Sequence, residues 1–108
     1  MHAPQRTVLR ITETRETTPQ GDTALVLRLE GNIQGQWVKE LWRAWRGCRR
    51  TAAGAPIRVV LADIRFVDAA GKVLLAELHR DGTDIVATDS LTAAIRDEIV
   101  AADVKRRR

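Results

Sequence analysis

Few residues in this chain have side chains that do chemistry. Two histidines (His2 and His79), one cysteine (Cys48) and one serine (Ser90) are the candidates for base, nucleophile or soft ligand among 108 residues. None is spaced to pair a nucleophile with a base or to gather a metal-binding set. His79 falls near the end of a helical pattern, where an imidazole complements the negative helix end. Cys48 lies on an apolar row and reads as a buried, inert thiol. Ser90 precedes an apolar periodic segment and reads as a helix N-cap. An isolated Gly71 does not make a phosphate loop. The expectation is a chain that is not an enzyme and uses no cofactor or metal. Binding chemistry is concentrated instead in Phe66-Val67-Asp68-Ala69-Ala70-Gly71-Lys72. Asp68 stands where a strand pattern gives way to a helical one, placed to accept hydrogen bonds from the first free N–H groups. Ala69 and Ala70 leave the first turn bare, and Gly71 allows another surface to approach the backbone. The plainer reading makes Asp68 only a cap, stabilising by roughly 1 kcal/mol; the functional reading makes the bare helix start a docking edge.

The elements that position this stretch follow from periodicity. Residues 8–12 read as a short strand, residues 17–22 as a Pro- and Gly-containing turn, and residues 23–30 as a second strand. In the second strand Leu25, Leu27 and Leu29 share one face, and Gly31-Asn32 ends it. From 34 to 50 the period becomes helical: Trp37, Leu41, Trp45 and Cys48 form one row, with Val38 and Trp42 beside it. All three tryptophans lie on this helix. They read as core fillers, or, for Trp37 or Trp42 at the stripe's flank, as an exposed interface anchor. Residues 51–56 break the helix. Residues 57–62 form a β-branched central strand, Asp63-Ile64-Arg65 its exit loop, and the Asp68 motif starts a helix with Val73, Leu74 and Leu78 at helical spacing. Asp81-Gly82 ends that helix, with Gly82 as a left-handed cap. Residues 83–87 are a last strand, and Ala94, Ile95, Ile99 and Val100 stripe a third helix. The order β-β-α-β-α-β-α implies an α/β fold with a single mixed sheet of about four strands. Its first hairpin is antiparallel, the rest are parallel, and three helices lie mainly on one face.

Phe66-Val67-Asp68-Ala69-Ala70-Gly71, after a Val-Val-Leu strand and before Val-Leu-Leu-Ala-Glu-Leu-His, resembles the STAS family. That family comprises anti-sigma factor antagonists and cytoplasmic domains of sulfate transporters. Phosphorylatable members read Asp-Ser-Ser/Thr-Gly in this loop, and a partner kinase modifies a hydroxyl at the helix start. Here the pattern is matched at Phe66, Asp68 and Gly71 and broken at Ala69 and Ala70. The resemblance spans roughly residues 23–104 in element order. It implies a small stand-alone interaction module with a protein partner: an anti-sigma factor kinase, a sensor or a transporter component. It also implies that the phosphorylation switch is absent and that docking is constitutive. Lys72 departs from the apolar residue many relatives carry. A nucleotide- or small-ligand-binding module, or a transporter-associated accessory subunit, is the alternative.

Length and composition fit one domain over residues 7–104, with a flexible start over 1–6 and a basic tail over 105–108. Hydrophobic content of 44% and charged content of 30% are those of a globular protein. A lone cysteine excludes an internal disulfide framework and suits a reducing compartment. No apolar run approaches the ~20 residues of a membrane span, so the expected location is the cytoplasm, without membrane insertion. Of the 18 Lys and Arg, four form the C-terminus, leaving 14 against 14 acidic residues. The net charge of +4 therefore reports a tail, and no specific nucleic-acid binding is expected. A homodimer through an exposed Trp or an unpaired edge strand remains open to the sequence.

Overall fold

Seven elements follow in the order β1 (Leu9–Thr17), β2 (Thr23–Ile33), α1 (Gln36–Thr51), β3 (Ile57–Val67), α2 (Ala69–Arg80), β4 (Asp84–Ala87) and α3 (Ser90–Arg106). This computed structural model describes residues 8–52 and 54–106. The expected flexible start over 1–6, and Arg107 and Arg108 of the expected tail, lie outside the described residues. Lys105 and Arg106 continue the backbone of α3. The sheet has the order β1-β2-β3-β4, with β1 and β2 antiparallel and the other two pairs parallel. The expected α/β architecture, one mixed four-stranded sheet with three helices, is the observed one.

The core lies on one face of that sheet. Leu25, Leu27 and Leu29 of β2, Ile57, Val59 and Leu61 of β3 and Ile85 of β4 point into it. They meet Leu41 and Cys48 of α1, Leu74, Leu75 and Leu78 of α2, and Ile99 of α3. On α2, Val73 is outside the stripe and 47% exposed; Leu75 takes the buried position instead. On α3, Ala94 is exposed, while Thr92 and Ile99 are fully buried. Among the described residues the opposite sheet face carries no helix. It is not wholly polar, because Ala24 and Val26 on β2 are also buried.

Three boundaries differ from the sequence reading for physical reasons. β1 runs on to Thr17, pairing Thr17 with Thr23 across the turn. β2 continues through Gly31 and Asn32 to Ile33. β3 absorbs the expected exit loop: Asp63, Ile64 and Arg65 are strand residues. Against β2, the register skips Ala62 and Arg65, so β3 carries two extra residues as bulges. Each bulge resets the two-residue alternation, which keeps Ile64 and Val67 on the core side and turns Phe66 to the helix-free face.

The N-cap of α3 is Asp89 rather than Ser90. Thr92 N–H donates to Asp89 Oδ1 at 2.8 Å, and Ala93 N–H donates to the Asp89 carbonyl at 2.9 Å. The Thr92 hydroxyl oxygen accepts the Asp89 N–H at 3.1 Å in return, a reciprocal cap. Gly82, at φ 97°, ends α2 as expected. Among the described residues, no helix is long and apolar enough to cross a membrane.

Candidate functional site

The two central strands end side by side, with Ile33 of β2 opposite Val67 of β3. Each is followed almost at once by a helix, so the N-termini of α1 and α2 emerge together at the carboxyl edge of the parallel strands. Asp68 stands between the two helix starts. Its Oδ1 accepts the Gly71 N–H at 2.7 Å, which makes it the N-cap of α2. Its Oδ2 accepts the Gly35 N–H at 3.0 Å. Gly35 is the N-cap residue of α1, a helix with no side-chain cap of its own. Its φ of 57° needs a glycine. One carboxylate therefore satisfies a backbone donor at the head of each helix.

Gly71 completes the junction from below. A Cβ at this position would lie 2.8 Å from the Ile33 carbonyl oxygen and 2.9 Å from a Val67 methyl. The surface that approaches Gly71 is thus the end of the chain's own β2. The Asp68 N–H reinforces it by donating to the Ile33 carbonyl at 3.0 Å. Asp68 and Gly71 fasten β2, β3 and both helices at one point.

The other motif residues diverge from there. Ala69 and Ala70 are exposed at the head of α2. Phe66 is 51% exposed on the helix-free face, paired with Asn32. Lys72 turns toward α3, where its Nζ donates to Glu98 at 3.1 Å. With Val73, Ala76, Ile99 and Ala102 these two residues line a groove of about 160 Å³ between α2 and α3. A second, open depression of about 320 Å³ lies at the junction itself, lined by Gln34, Gly35, Gln36, Trp37 and Asp68. Gln34, Gly35 and Gln36 escaped the sequence reading, because their relation to Asp68 is made only by folding; a glycine just after a strand end was the one available signal.

Trp37 thus joins the junction, half-buried against the core. Trp42 does not. It is 42% exposed, with the Arg46 guanidinium 4.6 Å from its ring centroid. Trp45 is also half-buried, and its indole N–H donates to Thr83 Oγ1 at 2.8 Å. Cys48 is 1% exposed, and burial, followed by the nearby Glu13 carboxylate, pushes its thiol pKa up. That is the opposite of what a nucleophile requires. Among the described residues no group of three or more His, Cys, Asp and Glu is placed to hold a metal ion. The junction offers two helix heads, a carboxylate and small side chains. A scan against protein-family models and a search of curated proteins each returned no match.

Proposed function

We propose that this chain is a non-enzymatic protein-interaction module of the anti-sigma factor antagonist kind, acting in the cytoplasm and docking through the head of α2. The observation that carries the reading is the Asp68 junction. The residue that the STAS resemblance singles out fixes two helix starts at one end of the sheet, with bare Ala69 and Ala70 beside it. Phe66 and Lys72 flank the docking edge, and Trp37 borders it. The partner is a protein: an anti-sigma factor kinase, a sensor or a transporter component. With no hydroxyl at Ala69 or Ala70, binding is constitutive rather than switched by phosphate.

Asp68 is a poor probe of this surface, because replacing it disturbs both helices. Ala70→Glu is better. It puts a negative charge on an exposed first-turn position, where a carboxylate favours the helix and mimics half the charge of a phosphate. Pull-downs from native extract with the natural chain and the folded Ala70→Glu variant are expected to retain a kinase-like, sensor or transporter protein only with the former. Equal retention by both would overturn the docking edge. Intact mass after incubation with ATP and the retained kinase is expected to be unchanged; a stoichiometric gain of about 80 Da would overturn constitutive binding.

A further inference from the structure

The outer edge of β1 is the longest unpaired strand edge among the described residues. The strand has nine residues, pairs among the described residues with β2 alone, and is exposed from Thr12 to Thr17. Its hydrogen-bonding phase is fixed at both ends. Asn32 N–H donates to the Val8 carbonyl, and Thr18 N–H donates to the Asp22 carbonyl. With the observed register, even-numbered residues of β1 therefore bond to β2. Leu9, Ile11, Glu13, Arg15 and Thr17 direct their N–H and C=O groups outward. An edge of this kind is a template for another strand unless its side chains forbid the match.

The side chains forbid most matches with a second copy and favour one. An antiparallel partner related by a two-fold axis must set odd residues against odd residues. Centred on Glu13, it sets Arg10 against Glu16 twice but places two carboxylates opposite each other at the axis; centred on Arg15, it places two guanidinium groups opposite each other. Centred on Thr12, it sets Glu13 against Ile11 and Arg15 against Leu9, leaving both charges without an opposite. Centred on Thr14, it sets Glu13 against Arg15 twice, Ile11 against Thr17 twice and Thr12 against Glu16 twice. Opposite charges directly across a ladder stabilise it, and like charges destabilise it.

The flank of α1 on the β1 side is made of small and polar residues. Trp45 and Arg49 reach toward Thr83 and Asp81, on the α2–β4 side of the helix. At 100° per residue the opposite flank is Glu40, Ala44, Gly47 and Thr51. A Cβ at Gly47 would meet nothing within 4 Å, so no described residue requires a glycine in mid-helix there.

We infer that two copies of this chain associate through β1, antiparallel about Thr14, joining two four-stranded sheets into one of eight strands. The occupant of the edge is a second copy because this register alone sets opposite charges across the ladder with no like-charge pair. The pairing forms about eight backbone hydrogen bonds. It is independent of the docking edge at α2.

The test is sedimentation equilibrium of the full chain, with circular dichroism to establish that each variant is folded. The natural chain is expected to sediment at twice the chain mass. Glu13→Arg and Arg15→Glu are each expected to weaken the dimer about tenfold or more, and the double variant, with its charges exchanged, to restore it. Cross-linking fixes the register separately. In the outer ladder Thr14 faces its own copy in a non-hydrogen-bonded pair, with Cα atoms about 4.5 Å apart, within disulfide range. Thr14→Cys is expected to give a covalent dimer under mild oxidation, and Thr12→Cys is not. A monomeric natural chain would overturn the inference. So would a dimer indifferent to both charge reversals, a double variant that stays monomeric, or cross-linking through Thr12→Cys in place of Thr14→Cys. A natural chain that stays monomeric and binds an unrelated extended peptide along β1 would assign the edge to a different partner and equally overturn it.

Discussion

At the scale of single residues, Asp68 does the work of two caps. Asp68→Ala removes acceptors from the Gly35 and Gly71 N–H groups at once, and urea denaturation is expected to show a loss of about 2–3 kcal/mol. Asp68→Asn keeps one carbonyl acceptor and is expected to lose less. A loss no larger than that of an ordinary surface substitution would mean the two bonds do not hold the junction. Gly71→Ala tests the same point from the other side. Alanine is the better helix former by about 1 kcal/mol, yet its methyl group would press on the Ile33 carbonyl, so the variant is expected to melt lower. Asp89 supplies the pH dependence. Its carboxyl is held below the ordinary range, first by the Thr92 backbone N–H and then by the Thr92 hydroxyl. A folded-state pKa lowered in this way contributes stability that is present above the unfolded value near pH 4. That stability is lost as pH falls through the folded value. Asp89→Asn is expected to flatten the fall in stability below about pH 4, as read by denaturation at a series of pH values.

At the scale of elements, α1 offers a contrast with α2. Gly71 in α2 is held by its surroundings, whereas Gly47 in α1 has open space where a Cβ would stand. Gly47→Ala is therefore expected to raise stability by about 0.5–1 kcal/mol, the ordinary helix-propensity gain, in thermal denaturation. The elements also show why some of the fold was legible and some was not. Asp68 capping Gly71 is a contact three residues long, so the sequence displays it. Asp68 holding Gly35 spans 33 residues and exists only once β2 and β3 have paired. Strands that alternate cleanly, such as Leu25-Leu27-Leu29, announce their faces. β3 hides its second half because the bulges at Ala62 and Arg65 break the alternation, and Asp63-Ile64-Arg65 then looks like a loop. On α3 a one-residue shift moved the cap from Ser90 to Asp89, since both residue types cap helices and only the hydrogen bonds choose between them.

At the scale of the whole molecule, charge is distributed by element rather than confined to a tail. α1 alone carries Lys39, Arg43, Arg46, Arg49 and Arg50 against Glu40, so the neutral body is basic over one helix and acidic elsewhere. The helix-free face shows how such charges serve packing. Arg58 of β3 reaches Glu16 of β1 at 3.1 Å and Asp84 of β4 at 3.6 Å. To do so its side chain crosses β2 where Ala24 and Val26 lie, opposite Glu16 and Arg58 in the register. That crossing lies over two apolar residues that are buried on this face. The ion pairs themselves contribute little, since Arg58, Glu16 and Asp84 keep 42%, 53% and 67% of their side chains exposed. The larger contribution is expected from the aliphatic stem, through the apolar surface it covers. Arg58→Met keeps a long apolar stem and removes the charge; Arg58→Ala removes both. Methionine is expected to stay within about 0.5 kcal/mol of the natural chain, and alanine to lose about 1 kcal/mol, in matched urea titrations. Equal losses for the two variants, suppressed by raised salt, would assign the contribution to the ion pairs instead.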